Sequence, residues 1–325
     1  MKKLLLAGAA AGLMMAASAP ASATDVMKLG HVGEPGSLYH VTSDEFAKCM
    51  LEKADVEVQL FGSSQLGNDE SMLQKLKLGQ LDFSIPSSIM SSVSDTFGVF
   101  EMPYIVKSRD HMRAIRDQAG DMFRDAAREE GYEIISFWEN GFRNVTNNVR
   151  PVTVPEDLKG IKLRTPKGQW RVKMFQAYGA NPTPMAFSEV FTALKTGVID
   201  GQENPLIQIF AGKFQEVQKY LSMTGHVYSP AYLATSSRNW NKWDDDRKAA
   251  ISECALQASD FAYEHGAQVD SEFVAKFEEA GVEVNEANKQ AFIDASADIY
   301  KEFGEEVEGG ADLISKIQSL DSGAS

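Results

Sequence analysis

The sequence lacks most of the residues and patterns that reveal an enzyme or a metalloprotein. Only two of its 325 residues are cysteines, and they form no CxxC pair and no metal-ligand spacing. The motifs GxSxG, HExxH, GxxxxGK[ST], GxGxxG and the EF-hand loop are all missing. We therefore expect no metal and no cofactor. Catalysis is not excluded by these absences alone, because paired carboxylates leave no regular spacing.

Positive charge is also in short supply. The chain has 32 Lys and Arg residues against 46 Asp and Glu residues, which gives a net charge of −14. A surface this acidic repels nucleic acid and anionic membranes, so we exclude both as partners. It does not exclude a small anionic ligand, because a local cationic pocket can still bind one.

Long hydrophobic runs are absent beyond the first residues of the chain. Lys2 and Lys3 precede an apolar run over residues 4–17, which is too short to span a bilayer, and Ala21-Ser22-Ala23 forms an A-x-A cleavage site. We predict a secretory signal peptide over residues 1–23. Its removal, with Lys2 and Lys3, would take the net charge from −14 to −16.

The two cysteines, Cys49 and Cys254, lie far apart in the sequence. A disulfide is chemically possible in an oxidising compartment. We expect two buried or half-buried thiols instead.

Hydrophobic periodicity predicts strands that alternate with helices along most of the chain. Predicted strands cover residues 27–29, 56–61, 81–85, 133–138, 161–164 and 198–199. This alternation indicates an α/β fold with mostly parallel sheets covered on both faces. Residues 244–279 contain no proline and a single glycine, Gly266. This composition predicts either one long helix or two helices with a kink near Gly266.

The most informative stretch covers residues 181–205, NPTPMAFSEVFTALKTGVIDGQENP. Its prolines hold an extended entry, and Ser188 is expected to cap a helix that ends at Gly197. Asn204 then follows the predicted strand 198–199. Polar residues at the carboxyl end of a buried strand are where open α/β sheets bind ligands.

A short repeat points to two similar halves. LKLGQLDF at residues 76–83 matches LKTGVIDG at residues 194–201, and each reads as a helix end, a capping glycine, a short strand and an aspartate. Two similar α/β lobes in one chain would show such a match.

Polar side chains follow five of the predicted strands, and parallel strands would bring them to one edge of a sheet. Two of these residues are arginines, whose planar guanidinium groups bind two oxygens of a carboxylate at once. Arg143 could equally brace the pocket, and core packing is the alternative for the aromatic candidates. The candidate ligand-binding residues are Arg164, Arg143, Asn204, Phe187, Ser87, Trp138, His31 and Glu34.

Several motifs resemble those of the solute-binding subunits of tripartite ATP-independent periplasmic (TRAP) transporters, over essentially the whole mature length. They are FGSSQLGNDESMLQKLKLGQLDF, MPY at 102–104, NGFRNVTN, LKGIKLRTP, and PTPMAFSEV with DGQENP. The resemblance implies a two-lobed periplasmic binding protein fold with crossing segments and a long bridging helix. We expect lobe 1 over residues 24–140 plus about 230–269, and lobe 2 over residues 141–229 plus about 270–325.

The resemblance also implies roles for particular residues. Arg164 matches the arginine that clamps the ligand carboxylate, Arg143 matches a second arginine, and Asn204 matches a pocket amide. The motifs are especially similar to those of sialic-acid-binding members. This sequence departs from them at Ser87, where those members carry a Glu, which suggests a smaller or less polyhydroxylated acid.

These observations predict a monomeric periplasmic binding protein that captures a small organic acid without turnover. A carboxylate such as a sugar acid or hydroxy acid is expected, and a sulfonate is compatible with the arginines. Delivery to a TRAP membrane permease follows from the resemblance alone. The alternatives are a secreted enzyme acting on an organic acid, with His31 or Asp82 as base, and a module that presents its ligand to a sensor.

Overall fold

The computed structural model describes residues 25–321, so the predicted signal peptide lies outside the described residues. Helices and strands alternate along the chain, as the periodicity predicted. The strands are β1 (Asp25–Gly30), β2 (Val56–Phe61), β3 (Phe83–Ser84), β4 (Tyr132–Asn147), β5 (Lys162–Thr165), β6 (Asn181–Pro184), β7 (Gly201–Pro205), β8 (Tyr220–Ser236) and β9 (Glu283–Glu286). The α-helices are α1 (Leu38–Ala54), α2 (Asp69–Lys77), α3 (Arg109–Glu129), α4 (Gln169–Ala177), α5 (Phe187–Thr196), α6 (Leu206–Ala211), α7 (Ser237–Trp240), α8 (Asp245–Glu279), α9 (Lys289–Asp294), α10 (Ala297–Glu306) and α11 (Gly310–Ser319). Short 3-10 helices cover Ser88–Ser92, Asp95–Glu101, Pro155–Leu158 and Phe214–Glu216.

The described strands form one sheet in the order β2-β1-β3-β8-β4-β7-β5-β6, with β9 added alongside β8. At one end of the sheet β1 pairs in parallel with β2 and β3, and at the other end β5 pairs in parallel with β6 and β7. The long strands β4 and β8 join the two ends and pair antiparallel. The prediction of mostly parallel pairing is therefore right for the two ends and wrong for the centre.

The long strand β4 corrects the predicted position of a candidate residue. A strand over 133–138 was expected to end before Arg143, but β4 continues through Asn147, so Arg143 lies within it. The polar run after Trp138, with Gly141 at φ +120°, interrupts the hydrophobic pattern that a strand normally shows. Burial in the middle of a sheet overrides that local signal.

The predicted strand over 198–199 is also wrong. Val198 is 60% exposed, and the strand β7 begins at Gly201, so Asn204 lies within a strand instead of following one. β7 pairs antiparallel with β4, and Asn204 stands opposite Asn144. The last five residues of the polar run DGQENP are therefore themselves the buried strand.

The short sequence repeat has a structural counterpart at each end of the sheet. Gly79 and Gly197 both adopt positive φ, at 69° and 72°, after a helix. The Asp82 carboxylate accepts a hydrogen bond of 2.8 Å from the backbone N–H of Lys28, and the Asp200 carboxylate accepts one of 2.8 Å from the N–H of Lys162. Each aspartate thus ties a helix–strand turn to the neighbouring parallel strand, as expected for two similar halves.

The long helix α8 is continuous over 35 residues and contains Gly266 in its interior. A Cβ atom at Gly266 would lie 2.8 Å from Oε1 of Glu139, which β4 places against this helix. The Nη2 of Arg109 donates to Oε1 of Glu139 at 2.6 Å and also to the carboxylate of Asp270 at 2.7 Å. The glycine therefore permits a close approach between α8 and β4.

A disulfide joins α1 to α8. Cys49 and Cys254 are bonded, with their Cα atoms 5.5 Å apart, so the expectation of two free thiols was wrong. Helices α1 and α8 pack against each other and bring the two positions together despite a sequence separation of 205.

Separate aromatic groups fill the core at the two ends of the sheet. Phe123, Phe137 and Tyr232 pack edge to face at one end. Tyr178 packs edge to face with Phe292 at the other end. Within residues 25–321, none of the helices combines the length and the apolar character needed to cross a bilayer.

Candidate functional site

A cavity of about 570 Å³, including its opening to solvent, lies between the two ends of the sheet. One wall comes from the start of α1, the start of α2 and the loop after β3. The opposite wall comes from the loops after β5 and β6 and from β7 and α6, and β4 closes the space between them. The lining residues are Val32, Tyr39, Asn68, Asp69, Glu70, Ser87, Ser88, Ile89, Asn140, Arg143, Arg164, Pro166, Lys167, Met185, Ala186, Phe187, Asn204 and Gln208.

Five of the eight candidate residues line this cavity: Arg164, Arg143, Asn204, Phe187 and Ser87. They come from both ends of the sheet and from β4, and not from one edge of parallel strands as expected, because Arg143 and Asn204 lie within the antiparallel strands β4 and β7. The Ser87 hydroxyl donates to the carbonyl of Pro230 at 2.7 Å. It is therefore held in place by the crossing strand β8.

The other three candidates, Trp138, Glu34 and His31, do not line the cavity. The Trp138 indole N–H donates to the carbonyl of Ala255 at 2.9 Å, which places this side chain in the core. Glu34 accepts a hydrogen bond of 2.6 Å from the hydroxyl of Ser63. Burial, together with His40, lowers the pKa of His31 to about 4, so its imidazole is neutral.

Arg164 is the cation that the cavity wall leaves without a counterion. Its side chain is buried, and its Nε and Nη2 both donate to the carbonyl of Met185, at 3.0 and 2.7 Å. Within residues 25–321 no carboxylate forms an ion pair with Arg164, whereas the buried side chains of Arg143 and Arg171 each pair with one. Burial, followed by the nearby Arg143 cation, lowers the pKa of Arg164 to about 9. An anion in the cavity would relieve that penalty.

Arg143 has its counterion within the protein. Its Nε lies 2.5 Å from Oε2 of Glu203, and its Nη2 donates to Oδ1 of Asn204 at 3.0 Å. Glu203 also accepts from Arg171 Nη1 at 2.7 Å and lies 3.1 Å from His226 Nε2. Burial acts to raise the pKa of Glu203, but Arg143 and Arg171 outweigh it and hold the pKa well below its usual value. The carboxylate is therefore ionised and neutralises Arg143.

The position of Phe187 depends on how α5 begins. Ser188 was expected to cap this helix, but the N-cap is Ala186, so α5 starts two residues earlier than predicted, at Phe187. The Glu189 carboxylate reaches back and accepts from the N–H of Ala186 at 3.0 Å. Phe187 therefore stands at the first turn, on the cavity wall, and packs against Phe214.

Several lining residues were not among the candidates. Asp69 lies in the first turn of α2, where the sequence indicated only a helix start, and burial raises its pKa to about 6 while Arg164 opposes the shift. Glu70 and Lys167 form an ion pair of 2.7 Å between the two walls. Asn140 lies in the NGFRNVTN motif, whereas no sequence signal marked Gln208. Identifying them requires knowing which loops face each other.

These features define a class of protein. Two similar α/β ends are crossed by long strands, and the cavity between them contains a buried arginine that has no ion-pair partner among residues 25–321. This arrangement is that of a solute-binding protein for anions.

The chain belongs to the family of bacterial extracellular solute-binding proteins, family 7 (DctP), whose model matches residues 29–306. It is 33% identical over 313 residues to the sialic acid-binding periplasmic protein SiaP of Vibrio cholerae, covering 95% of this chain and 97% of that protein. The family predicted from the sequence motifs is thereby confirmed. Members of this family bind solutes for transporters, so the chain is a transport protein and not an enzyme.

Solved structures of TRAP solute-binding proteins share the fold. The sugar acid binding protein of Advenella mimigardefordensis in complex with galactonate superposes with a TM-score of 0.88 at 29% identity, covering 92% of this chain and 98% of that one. A protein from Sulfurospirillum deleyianum with bound succinate gives a TM-score of 0.87 at 31% identity, covering 92% and 100%. The predicted two-lobed α/β fold is therefore confirmed.

Proposed function

We propose that this protein captures a small organic carboxylate in the periplasm and delivers it intact to the membrane permease of a TRAP transporter. The observation that carries this proposal is Arg164, a buried guanidinium in the cavity wall with no ion-pair partner among residues 25–321. A ligand carboxylate would supply the missing anion and accept two charge-assisted hydrogen bonds. The permease and the periplasm are proposed from family membership.

The ligands of related proteins support the same chemical class. SiaP is named for sialic acid, and the two structures described above contain galactonate and succinate. All three ligands carry a carboxylate, while they differ in size and in their number of hydroxyl groups. The carboxylate that the three ligands share would supply the counterion that Arg164 lacks among residues 25–321.

We assign different roles to the two arginines. Arg164 binds the acid group, whereas Arg143 braces the site because Glu203 already occupies its guanidinium. Through its bond to Oδ1, Arg143 also fixes the amide of Asn204. Ser87, Phe187 and Asn204 complete the binding surface.

We also propose the lobe boundaries given by the sequence, with residues 24–140 and about 230–269 in one lobe and 141–229 and about 270–325 in the other. The antiparallel pair β4 and β8 would cross between them. By these boundaries α11 belongs to the second lobe and contacts the first, where Ile317 O lies 2.8 Å from Nε2 of His111 in α3. We expect a monomer, which size-exclusion chromatography with light scattering would test.

Arg164→Ala tests the proposal. A panel of D-galactonate, succinate and pantoate should contain at least one acid that binds the unmodified protein in isothermal titration calorimetry. Two hydrogen bonds to a charged group contribute roughly 3–6 kcal/mol, so the variant should bind that acid at least about 100-fold more weakly.

Arg238→Ala is the matched control, because Arg238 is exposed on α7 and outside the cavity. It should bind the acid as the unmodified protein does. If Arg164→Ala kept the original affinity, the assignment of the acid-binding group would be wrong. If no acid bound and carboxylates gave no thermal stabilisation, the proposed function itself would be wrong.

A further inference from the structure

Gln208 contributes an unpaired amide to the cavity wall. It lies in α6 and is 3% exposed, yet neither end of its side-chain amide makes a hydrogen bond within the described part of the chain. Its Oε1 is fully buried without a partner. A buried polar group without a partner is costly, so it is retained where something else supplies the bond.

Asn140 provides a second unpaired acceptor on the crossing strand β4. Its Nδ2 donates to the Ser87 hydroxyl oxygen at 3.3 Å, and its Oδ1 is buried without a partner. The Ser87 hydroxyl donates its hydrogen bond to the carbonyl of Pro230, so its oxygen acts as the acceptor in the bond with Asn140. This bond orients the amide and leaves the Asn140 oxygen available to a donor in the cavity.

Carboxylates cannot satisfy these oxygens, because an ionised acid only accepts hydrogen bonds. Hydroxyl groups can, since each one donates and accepts. A hydroxyl also suits either end of the Gln208 amide. The cavity wall therefore favours a ligand that carries hydroxyl groups in addition to the acid group that binds Arg164.

The charges of the wall limit the number of acid groups. Of its cations within residues 25–321, Arg143 is paired with Glu203, Lys167 is paired with Glu70, and only Arg164 has no ion-pair partner. A second carboxylate would meet no free cation. It would instead meet the acidic side chains of Asp69 and Glu70.

We propose that the ligand is a polyhydroxylated acid with a single carboxylate, and that Gln208 and Asn140 select it by binding its hydroxyl groups. This inference rests on the proposed function and narrows it. Relatives that bind succinate show that the family alone does not decide between a hydroxylated monoacid and a plain diacid.

Matched ligands test the inference on the unmodified mature protein by calorimetry. D-galactonate should bind at least about 100-fold more tightly than hexanoate, which has the same chain length without hydroxyl groups, because hexanoate leaves both amide oxygens unpaired. D-galactonate should also bind at least about 10-fold more tightly than galactarate, its diacid counterpart. Equal or tighter binding of hexanoate, succinate or galactarate would overturn the inference while leaving the proposed function intact.

The variant Gln208→Met tests whether Gln208 is responsible for selecting hydroxylated acids. It keeps the length of the side chain and removes only an amide that bonds nothing in the protein, so the ligand-free melting temperature should stay the same or rise. Affinity for D-galactonate should fall about 10-fold, and affinity for hexanoate should be unchanged or higher.

Gln208→Glu keeps an acceptor at the same position and provides a second readout. Its negative charge should weaken every acid, but the ratio of galactonate to hexanoate affinity should remain above that of Gln208→Met. If Gln208→Met bound both acids as the unmodified protein does, Gln208 would have no part in selection. If no acid bound the unmodified protein at all, the proposed function would fail and the inference with it.

Discussion

Two buried arginines line the cavity, and they differ in whether a neighbouring carboxylate pairs with them. Arg143 faces Glu203 across paired strands, whereas Arg164 donates only to a backbone carbonyl. The sequence predicted both residues as anion-binding candidates from their type and from a family resemblance. It could not show that the glutamate of DGQENP would neutralise one of them, because that depends on the antiparallel register of β4 and β7.

The unpaired amides show the same limit at the residue scale. Asn140 lies in a motif that the sequence marked, but its free oxygen results from the bond between Ser87 and Pro230. Gln208 lies in a short helix with no distinctive pattern. Whether a buried polar atom has a partner is a property of three-dimensional neighbours, which a periodic pattern does not encode.

Asp69 makes ligand affinity depend on pH. Burial raises its pKa to about 6, the neighbouring Glu70 adds to the rise, and Arg164 opposes it. The ionised form repels a bound carboxylate and partly neutralises Arg164. Because binding of an anion favours the protonated form, affinity should fall as the pH rises through about 6, and we expect D-galactonate to bind roughly threefold to tenfold more tightly at pH 5.5 than at pH 7.5.

Titration calorimetry at the two pH values, in buffers of equal ionic strength, measures this effect. The variant Asp69→Asn is the control. Its residue 69 no longer titrates, so it should bind D-galactonate with the same affinity at both pH values. Weaker binding of the unmodified protein at pH 5.5 would show that ionised Asp69 assists the ligand, contrary to this prediction.

At the scale of elements, the helix–strand units were predictable and the crossing strands were not. Capping residues placed α5 within two residues of its observed bounds. β4 and β8 run for 16 and 17 residues, with polar side chains and register shifts in the middle. Their stability comes from pairing with each other, so the local sequence predicted a strand over residues 133–138 of β4 and over no part of β8.

Gly266 tests the close contact between α8 and β4. Alanine normally stabilises a helix interior by about 1 kcal/mol relative to glycine. Here the added Cβ would lie 2.8 Å from Glu139 Oε1, and Arg109 restrains that carboxylate. We expect Gly266→Ala to lower the free energy of unfolding by about 1–3 kcal/mol, as overpacking does.

Gly304 in α10 offers a matched control, because the nearest atom to its added Cβ would be the Cβ of Ala311 at 3.4 Å. Gly304→Ala should leave stability unchanged or raise it by up to about 1 kcal/mol. Urea denaturation of both variants measures the difference. A Gly266→Ala variant as stable as Gly304→Ala would show that α8 and β4 have room between them.

At the scale of the molecule, two exposed contacts between the proposed lobes are weak. Lys167 and Glu70 form an ion pair whose side chains are 44% and 45% exposed, and Gln169 reaches Asp95 at 3.4 Å. Exposed pairs contribute about 0–1 kcal/mol. They add little stability to the closed arrangement, in which the buried guanidinium of Arg164 has no ion-pair partner among residues 25–321.

The protein should therefore open when it is empty and close when it binds an acid. Small-angle X-ray scattering should show a smaller radius of gyration with saturating D-galactonate than without it. Arg164→Ala, measured with the same ligand concentration, should give the ligand-free value. Identical scattering of the unmodified protein in both conditions would contradict closure of the two lobes around the ligand.

A crystal structure of the complex with D-galactonate is the most direct test of the central claim, that Arg164 receives the acid group. We expect the ligand carboxylate to lie within about 2.7–2.9 Å of the Arg164 guanidinium nitrogens, with hydroxyl groups facing Gln208 and Asn140. A ligand bound in the cavity with its carboxylate turned away from Arg164, or one bound outside the cavity, would contradict the account.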